Sequence, residues 1–389
     1  MYTEKFAAAI AEAEKIIAEA PHIRSEQDRT EGYEYLAGSI RAAIQFAFAY
    51  ERDFPYFSEG TGPYMKMGLD NPDTMYYGAN IRDDAEYVVT GTRGSTVDLS
   101  FQVLNGDYTP SEVPDSLTAF DDRSVTIDHD NTFELRFGPA NDHPEPNYVT
   151  LGPRSSQLVV REVFSNWDTQ RPGRIRIQRV YRIGTAPQPL STMDLEKRYA
   201  AAAKILLGRI KTFLAFPEWF YLKLEVNTMT EPRLTPGGLA SQYSSAGHYD
   251  LADDQVMVVT VPASEAPYQG IQLGSMWYVS LDYINHQTSL TTEQARIDPD
   301  DKIRFVIAER DPGVVNWLER TGHGRGYVQI RWQRVSRELT AHDGPQVQVM
   351  GIDELPQRLP FYAQARMAPA EHTARIAARQ AAVADRMLG

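Results

Sequence analysis

The segment from Ser275 to Trp332, SMWYVSLDYINHQTSLTTEQARIDPDDKIRFVIAERDPGVVNWLERTGHGRGYVQIRW, concentrates aromatic, carboxylate, imidazole and guanidinium side chains. In TGHGRG (321–326), glycines beside His323 let the backbone approach a ligand while presenting an imidazole; a surface hairpin with an exposed His suits the same pattern. Asp282 is the second candidate base. Arg331 alternates with Trp332 along a predicted strand, and an inward Arg must be paired or bind an anion because a lone buried charge is costly. Its expected partner is Asp282. Trp277, Tyr283 and Trp317 offer flat apolar walls, with His286 and Asn316 as polar contacts, although Asn316 also reads as a loop cap. Upstream, NPDTMYYGANIRDD (71–84) carries Tyr76 and Tyr77, phenols that can stabilise a developing oxyanion or, more plainly, fill a core after a turn. A base beside cationic and phenolic groups amounts to proton transfer with charge stabilisation.

Other chemistries lose ground by elimination. No G-x-S-x-G, S-x-x-K, H-E-x-x-H or G-x-x-x-x-G-K-[ST] pattern occurs, which lowers hydrolase, zincin and P-loop readings. The chain has no Cys, so thiol nucleophiles, disulfides and thiolate metal sites are absent. Asp128, His129 and Asp130 read as a solvated turn rather than a metal site, and GTRGST (91–96) as a hairpin turn rather than a phosphate loop. The reading therefore expects no metal and no cofactor. Lys and Arg number 39 against 52 Asp and Glu, a formal charge of −13, which opposes nucleic acid and anionic membranes. MYTEKFAAAIAEAEK breaks its apolar positions with charge, and no window is apolar long enough to span a bilayer, so a cytoplasmic protein is expected.

The elements that must position these residues follow from periodicity. Phe6, Ile10, Ala13 and Ile17 after a Thr3 cap, then Leu36, Ile40, Ala43, Ile44, Ala47 and Phe48, predict two amphipathic helices. The period then becomes two: Leu99, Phe101 and Val103 alternate with Ser100 and Gln102, and strands are predicted near 86–90, 124–128, 148–152, 157–164 and 174–183. Trp167 and Asp168 fall in a predicted structural hairpin. Ser191 and Asp194 cap a central helix with Leu195, Tyr199, Ala202, Leu206, Ile210 and Phe213 on its buried stripe. A second strand set follows near 255–262, 270–285, 302–309 and 326–334, the last with Val328, Ile330 and Trp332 on one face and Gln329, Arg331 and Gln333 on the other. The Ala/Arg-rich tail 369–387 predicts a helix docked on its own chain, with a homo-oligomer left open.

The expected fold is α+β and mainly β: antiparallel β-sandwich or jelly-roll-like modules with N-terminal, central and C-terminal helices. The expected division is 1–70 helical, 71–190 a first β-region, 191–230 helical, 231–340 a second β-region and 341–389 a helical tail.

NPDTMYYGANIRDDAEYVVTG, REVFSNWDTQRPGRIRIQRV, MWYVSLDYINHQTSL and DPGVVNWLERTGHGRGYVQIRW resemble the bacterial family catalogued as domain of unknown function 1214, including larger members with a helical N-terminal half. The resemblance spans most of 70–335. It implies a jelly-roll-like sandwich with associated helices and no obvious metal or organic cofactor, and it adds weight to Tyr76, Asp282, Tyr283, Asn316, Trp317, His323 and Arg331 without assigning their roles. Two functions fit: a cofactor-independent lyase or isomerase, of elimination or formaldehyde-releasing retro-aldol type, acting on a hydrophobic hydroxylated aromatic molecule; or a non-catalytic binding or accessory protein for an apolar metabolite. A hydrolase using activated water is the weaker third.

Overall fold

The computed structural model describes residues 1–49, 51–106, 114–141, 146–235 and 242–388. Helices α1 (Glu4–Ala18) and α2 (Glu26–Ala49) open the chain, and α3 (Thr192–Phe220) lies centrally in sequence. Helices α4 (Leu355–Arg358), α5 (Tyr362–Ala365) and α6 (Pro369–Leu388) close it. Phe6, Ala13, Ile17 and Leu36 meet Ala202, Leu206 and Ile210 in one helical core. Ser191 caps α3 as its sequence predicts, accepting the Asp194 amide at 3.1 Å. Thr3 makes no such bond.

The first β-region is a sandwich of β1 (Ser58–Thr61), β2 (Thr74–Asn80), β3 (Tyr87–Thr92), β4 (Asp98–Asn105), β5 (Asp115–Asp121), β6 (Thr132–Gly138), β7 (Tyr148–Thr150), β8 (Ser155–Val163) and β9 (Arg174–Arg179). Its sheets run β1-β2-β8-β4-β5 and β7-β6-β3-β9. The second comprises β10 (Thr228–Met229), β11 (Arg233–Leu234), β12 (Tyr243–Asp250), β13 (Gln255–Pro262), β14 (Tyr268–Ser275), β15 (Val279–Ser280), β16 (Ser289–Thr291), β17 (Lys302–Ala308), β18 (Trp317–Glu319), β19 (Arg325–Gln333) and β20 (Gln346–Gly351). Here the sheets run β10-β12-β19-β14-β15, with β11 beside β12 and β16 beside β14, and β18-β17-β13-β20. Each sandwich encloses its own apolar core, and the chain is a mainly β, α+β protein with mostly antiparallel sheets.

The two sandwiches are topological duplicates. In the first, β8 lies between β2 and β4, β3 between β6 and β9, and β6 pairs in parallel with β7. In the second, β19 lies between β12 and β14, β13 between β17 and β20, and β17 pairs in parallel with β18. Strands β2, β3, β4, β6, β7, β8 and β9 thus correspond in order to β12, β13, β14, β17, β18, β19 and β20.

Several expectations are corrected. Residues 91–96 form no hairpin, because β3 and β4 belong to different sheets of the first sandwich. Trp167 and Asp168 likewise join strands of different sheets. Instead of a strand at 124–128, a strand ends at Asp121 and a 3-10 turn follows. The strand expected over 270–285 stops at Ser275, where the chain turns through Tyr278 in the left-handed region (φ 58°). A non-glycine residue there needs tertiary support, and Tyr278 supplies it by packing against Phe216, Tyr221 and Tyr327.

Candidate functional site

Between the outer face of β2 and β8, the outer face of β19 and one side of α3 lies a cavity of about 790 Å³, within the range of small-molecule sites. Strand alternation sets its polar walls. On β8, Leu158 and Val160 enter the first core, so Val159 and Arg161 face the cavity. On β19, Val328, Ile330 and Trp332 enter the second core, so Gln329, Arg331 and Gln333 face it, the division predicted from sequence. Ile205, Phe213 and Phe216 of α3, with Met67 and Leu69, form the apolar side.

Arg331 is 8% exposed. Its guanidinium donates to Gln272 Oε1 and, at 2.6 Å, to the Leu69 carbonyl. Asp282, the partner expected from sequence, makes no hydrogen bond or ion pair with it. Tyr76 stands directly across the ladder from Arg161, whose guanidinium carbon lies 6.0 Å from the phenol ring centre. The Tyr76 oxygen accepts the Asn71 amide at 3.0 Å. Burial pushes its pKa up, with Arg331 and then Arg161 opposing that shift electrostatically. Tyr77 sits at the cavity edge with its hydroxyl 3.6 Å from Met75 Sδ.

Two acceptors on β19 are unfilled. Gln329 Oε1 and Gln333 Oε1 are buried with no hydrogen-bond donor among the described residues, although Gln333 Nε2 donates to Gln242 Oε1 at 3.1 Å. Among the described lining residues, Arg161, Lys204, Arg209, Lys211 and Arg331 are cationic and Asp70 alone is a carboxylate. Asp70 is held by the Ser280 amide (3.1 Å) and hydroxyl (2.8 Å). Arg209 donates to the Met65 and Lys66 carbonyls, and Lys211 pairs with Glu12 at 2.6 Å.

The structure therefore brings together Tyr76, Tyr77 and Arg331 and places the other seven candidates elsewhere. His323 is buried against α2: Nε2 lies 2.7 Å from Glu31 Oε1 and Nδ1 lies 2.8 Å from the Arg320 carbonyl. Burial lowers its pKa, but Glu31 outweighs that and the net shift is upward. The ring is not an exposed hairpin imidazole. Asp282 is exposed and closes a turn, accepting from the Ile284 amide (3.0 Å), the Asn285 amide (3.1 Å) and Asn285 Nδ2 (2.8 Å). Partial burial raises its pKa, yet these bonds hold it below the usual carboxylate range.

Trp277 belongs to the helical core, its indole N–H donating to the Asp28 carbonyl at 2.6 Å. Tyr283 packs on Trp167 beside α6. Asn316 is a loop brace, exchanging two 2.8 Å bonds with the Arg296 backbone. Trp317 is buried next to α4 and donates to the Ala308 carbonyl at 3.0 Å. His286 and His372 both meet Glu319, at 2.8 and 3.1 Å, where α6 docks. Among the described residues no group of three or more His, Asp or Glu side chains could hold a metal ion, and no helix is long and apolar enough to cross a membrane.

Sequence reasoning missed Arg161 and the contribution of α3. The signal for Arg161 was the same alternation that exposed the Arg331 face, on the predicted strand 157–164. Nothing local told α3's lining residues from its core stripe, because the second surface it covers is distant in sequence.

Together these features define a duplicated β-sandwich protein with a cationic, half-apolar cavity between its halves. The chain is similar in structure to an uncharacterized protein from Burkholderia cenocepacia, with 25% identity, a TM-score of 0.83, and coverage of 91% of this chain and 98% of that one. A protein from Vibrio parahaemolyticus is 12% identical over 82% of this chain and 98% of its own, with a TM-score of 0.45. No family model matches the chain, and no curated protein matches it.

Proposed function

We propose that this protein binds an apolar small molecule in the cavity between its sandwiches. The observation that carries this reading is that apolar side chains of α3 (Ile205, Phe213 and Phe216) share the cavity with polar side chains of the two sheets, among them two unfilled acceptors on β19. Such a site holds the apolar body of a ligand while a few polar groups orient it. A second reading, a cofactor-independent lyase for hydroxylated aromatic molecules, draws support from Tyr76 and Arg331 sharing the cavity as oxyanion-stabilising groups. That reading assigns the base role to Asp70, because His323 and Asp282 do not line the cavity.

The discriminating experiment incubates purified protein with free-phenol and O-methylated aromatic dimers and long-chain alcohols and acids, then separates protein from free compound and analyses both by mass spectrometry. Retention of a compound at unchanged mass is expected. Conversion with formaldehyde release would support the lyase reading instead, and neither retention nor conversion would overturn both.

A further inference from the structure

Arg161 and Arg331 occupy the same place in the two halves of the duplicated fold. Each is the seventh residue of a nine-residue strand, β8 or β19, that lies second to none in its sheet's centre, flanked by corresponding neighbours on both sides. Each follows a core residue, Val160 or Ile330, and turns outward into the same cavity. Position by position, SSQLVVREV and RGYVQIRWQ are identical only at this Arg. The duplicated sheets face each other, so one arginine from each half reaches a shared space.

We propose that this arginine pair, with Tyr76, forms a carboxylate-binding subsite, so that the ligand is an apolar molecule carrying a carboxylate head. This rests on the binding reading above and names its ligand class. Both guanidinium groups line one partly apolar cavity and both act electrostatically on the Tyr76 phenol, so an anion held beside that phenol gains from two positive charges. Each guanidinium has five N–H donors in a planar fork matched to a carboxylate. Arg331 spends donors on Gln272 and Leu69, contacts that fix its orientation. Tyr76 lies opposite Arg161 with its oxygen already accepting the Asn71 amide, so its own O–H is available to donate. The cationic excess of the lining stands against the −13 charge of the whole chain, which concentrates attraction for an anion in this cavity. Beyond the arginines, Ile205, Phe213 and Phe216 supply the surface that an apolar tail requires.

The test measures displacement of cis-parinarate fluorescence from the full chain by dodecanoate, dodecanol, dodecanamide and dodecyl phosphate. Dodecanoate is expected to bind about 10- to 100-fold more tightly than the alcohol or the amide, the range for hydrogen bonds to a charged group. In R161Q and in R331Q this ratio falls toward one, and R161K, which keeps the charge but loses the fork, falls between. The headgroup comparison in the native protein stands even if R331Q does not fold. Equal binding of acid, alcohol and amide would overturn the carboxylate subsite while leaving the binding reading intact. Preference for the phosphate over the acid would overturn the carboxylate assignment, and failure of every probe to bind would overturn the binding reading as well.

Discussion

Replacing Glu31 by Gln tests whether His323 is a charged brace between α2 and the second sandwich. The nearest partner of each ring nitrogen is an oxygen that can only accept, the Glu31 carboxylate at 2.7 Å and the Arg320 carbonyl at 2.8 Å, closer than the Thr321 hydroxyl at 3.1 Å, so the geometry favours the imidazolium. The His323 side chain is 4% exposed and that of Glu31 25%. Breaking a fully buried pair costs about 3–5 kcal/mol, and the wetter Glu31 side lowers that to roughly 2 kcal/mol for this pair, near the value of a charge-assisted hydrogen bond. Since the folded-state pKa of His323 is raised, its contribution is fully present below the unfolded value of 6.5 and is lost as pH rises through the folded value. E31Q should therefore destabilise most near pH 5–6 and progressively less toward pH 9. Urea unfolding of both proteins, followed by tryptophan fluorescence across that range, measures the difference. Trp277 reports from the same junction, since its indole is tied to Asp28 on α2. A pH-independent loss, or one larger at pH 9, would refute the charged brace.

Trp277→Ala should cost about 3–5 kcal/mol, the range for emptying a buried aromatic site, because Trp277 is 1% exposed among α1, α2 and α3; thermal melting measures it, and a loss under 1 kcal/mol would contradict the packing described. Arg379→Met should loosen α6, since the buried Arg379 guanidinium donates to the Tyr283 and Ser289 carbonyls and lies 4.5 Å from the Trp167 ring centre. Hydrogen exchange should then rise across 369–388 before it rises in either sandwich, and unchanged exchange there would argue against the docking role. Tyr76→Phe should leave the buried Asn71 amide without its acceptor, lowering stability by about 1–3 kcal/mol in the same urea titration.

Much of the fold was legible in the sequence because its signals are local. The two-residue alternation in β19 and β4, the Ser191 cap and the 3.6-residue stripes of α1 and α3 each record a face that meets a core. The polar faces carried a different message from the one read. In β4 the polar residues Asp98, Ser100 and Gln102 alternate with apolar ones, yet every residue of Asp98–Leu104 is buried, and the second half of the molecule reaches that face through contacts such as Arg334 to Asp98 at 2.6 Å. Local pattern says which side of a strand is apolar and is silent about a polar interface between halves.

The same limit explains the site. Arg331 was singled out for being charged on a strand; the structure turns it away from the core into the cavity and gives it Gln272 and Leu69 as partners in place of Asp282. His323 and Trp277 attracted attention through chemistry that instead joins helices to the second sandwich, at Glu31 and Asp28, partners roughly 250 to 290 residues away that no local rule connects. The turn at Tyr278 carried no Gly, Pro or Asn to announce it, so a continuous strand was the natural reading of its aromatic run. The duplication was hidden by divergence so complete that the two central strands retain one common residue.

Native mass spectrometry of the unmodified protein and of V159W, each with cis-parinarate, locates the bound ligand. Val159 lines the cavity from β8, where an aromatic side chain suits the strand and fills ligand space while both arginines are kept. A one-to-one complex is expected with the unmodified chain, and its loss in V159W at an unchanged melting temperature. Equal complex formation by both proteins would place the ligand elsewhere and contradict binding between the sandwiches.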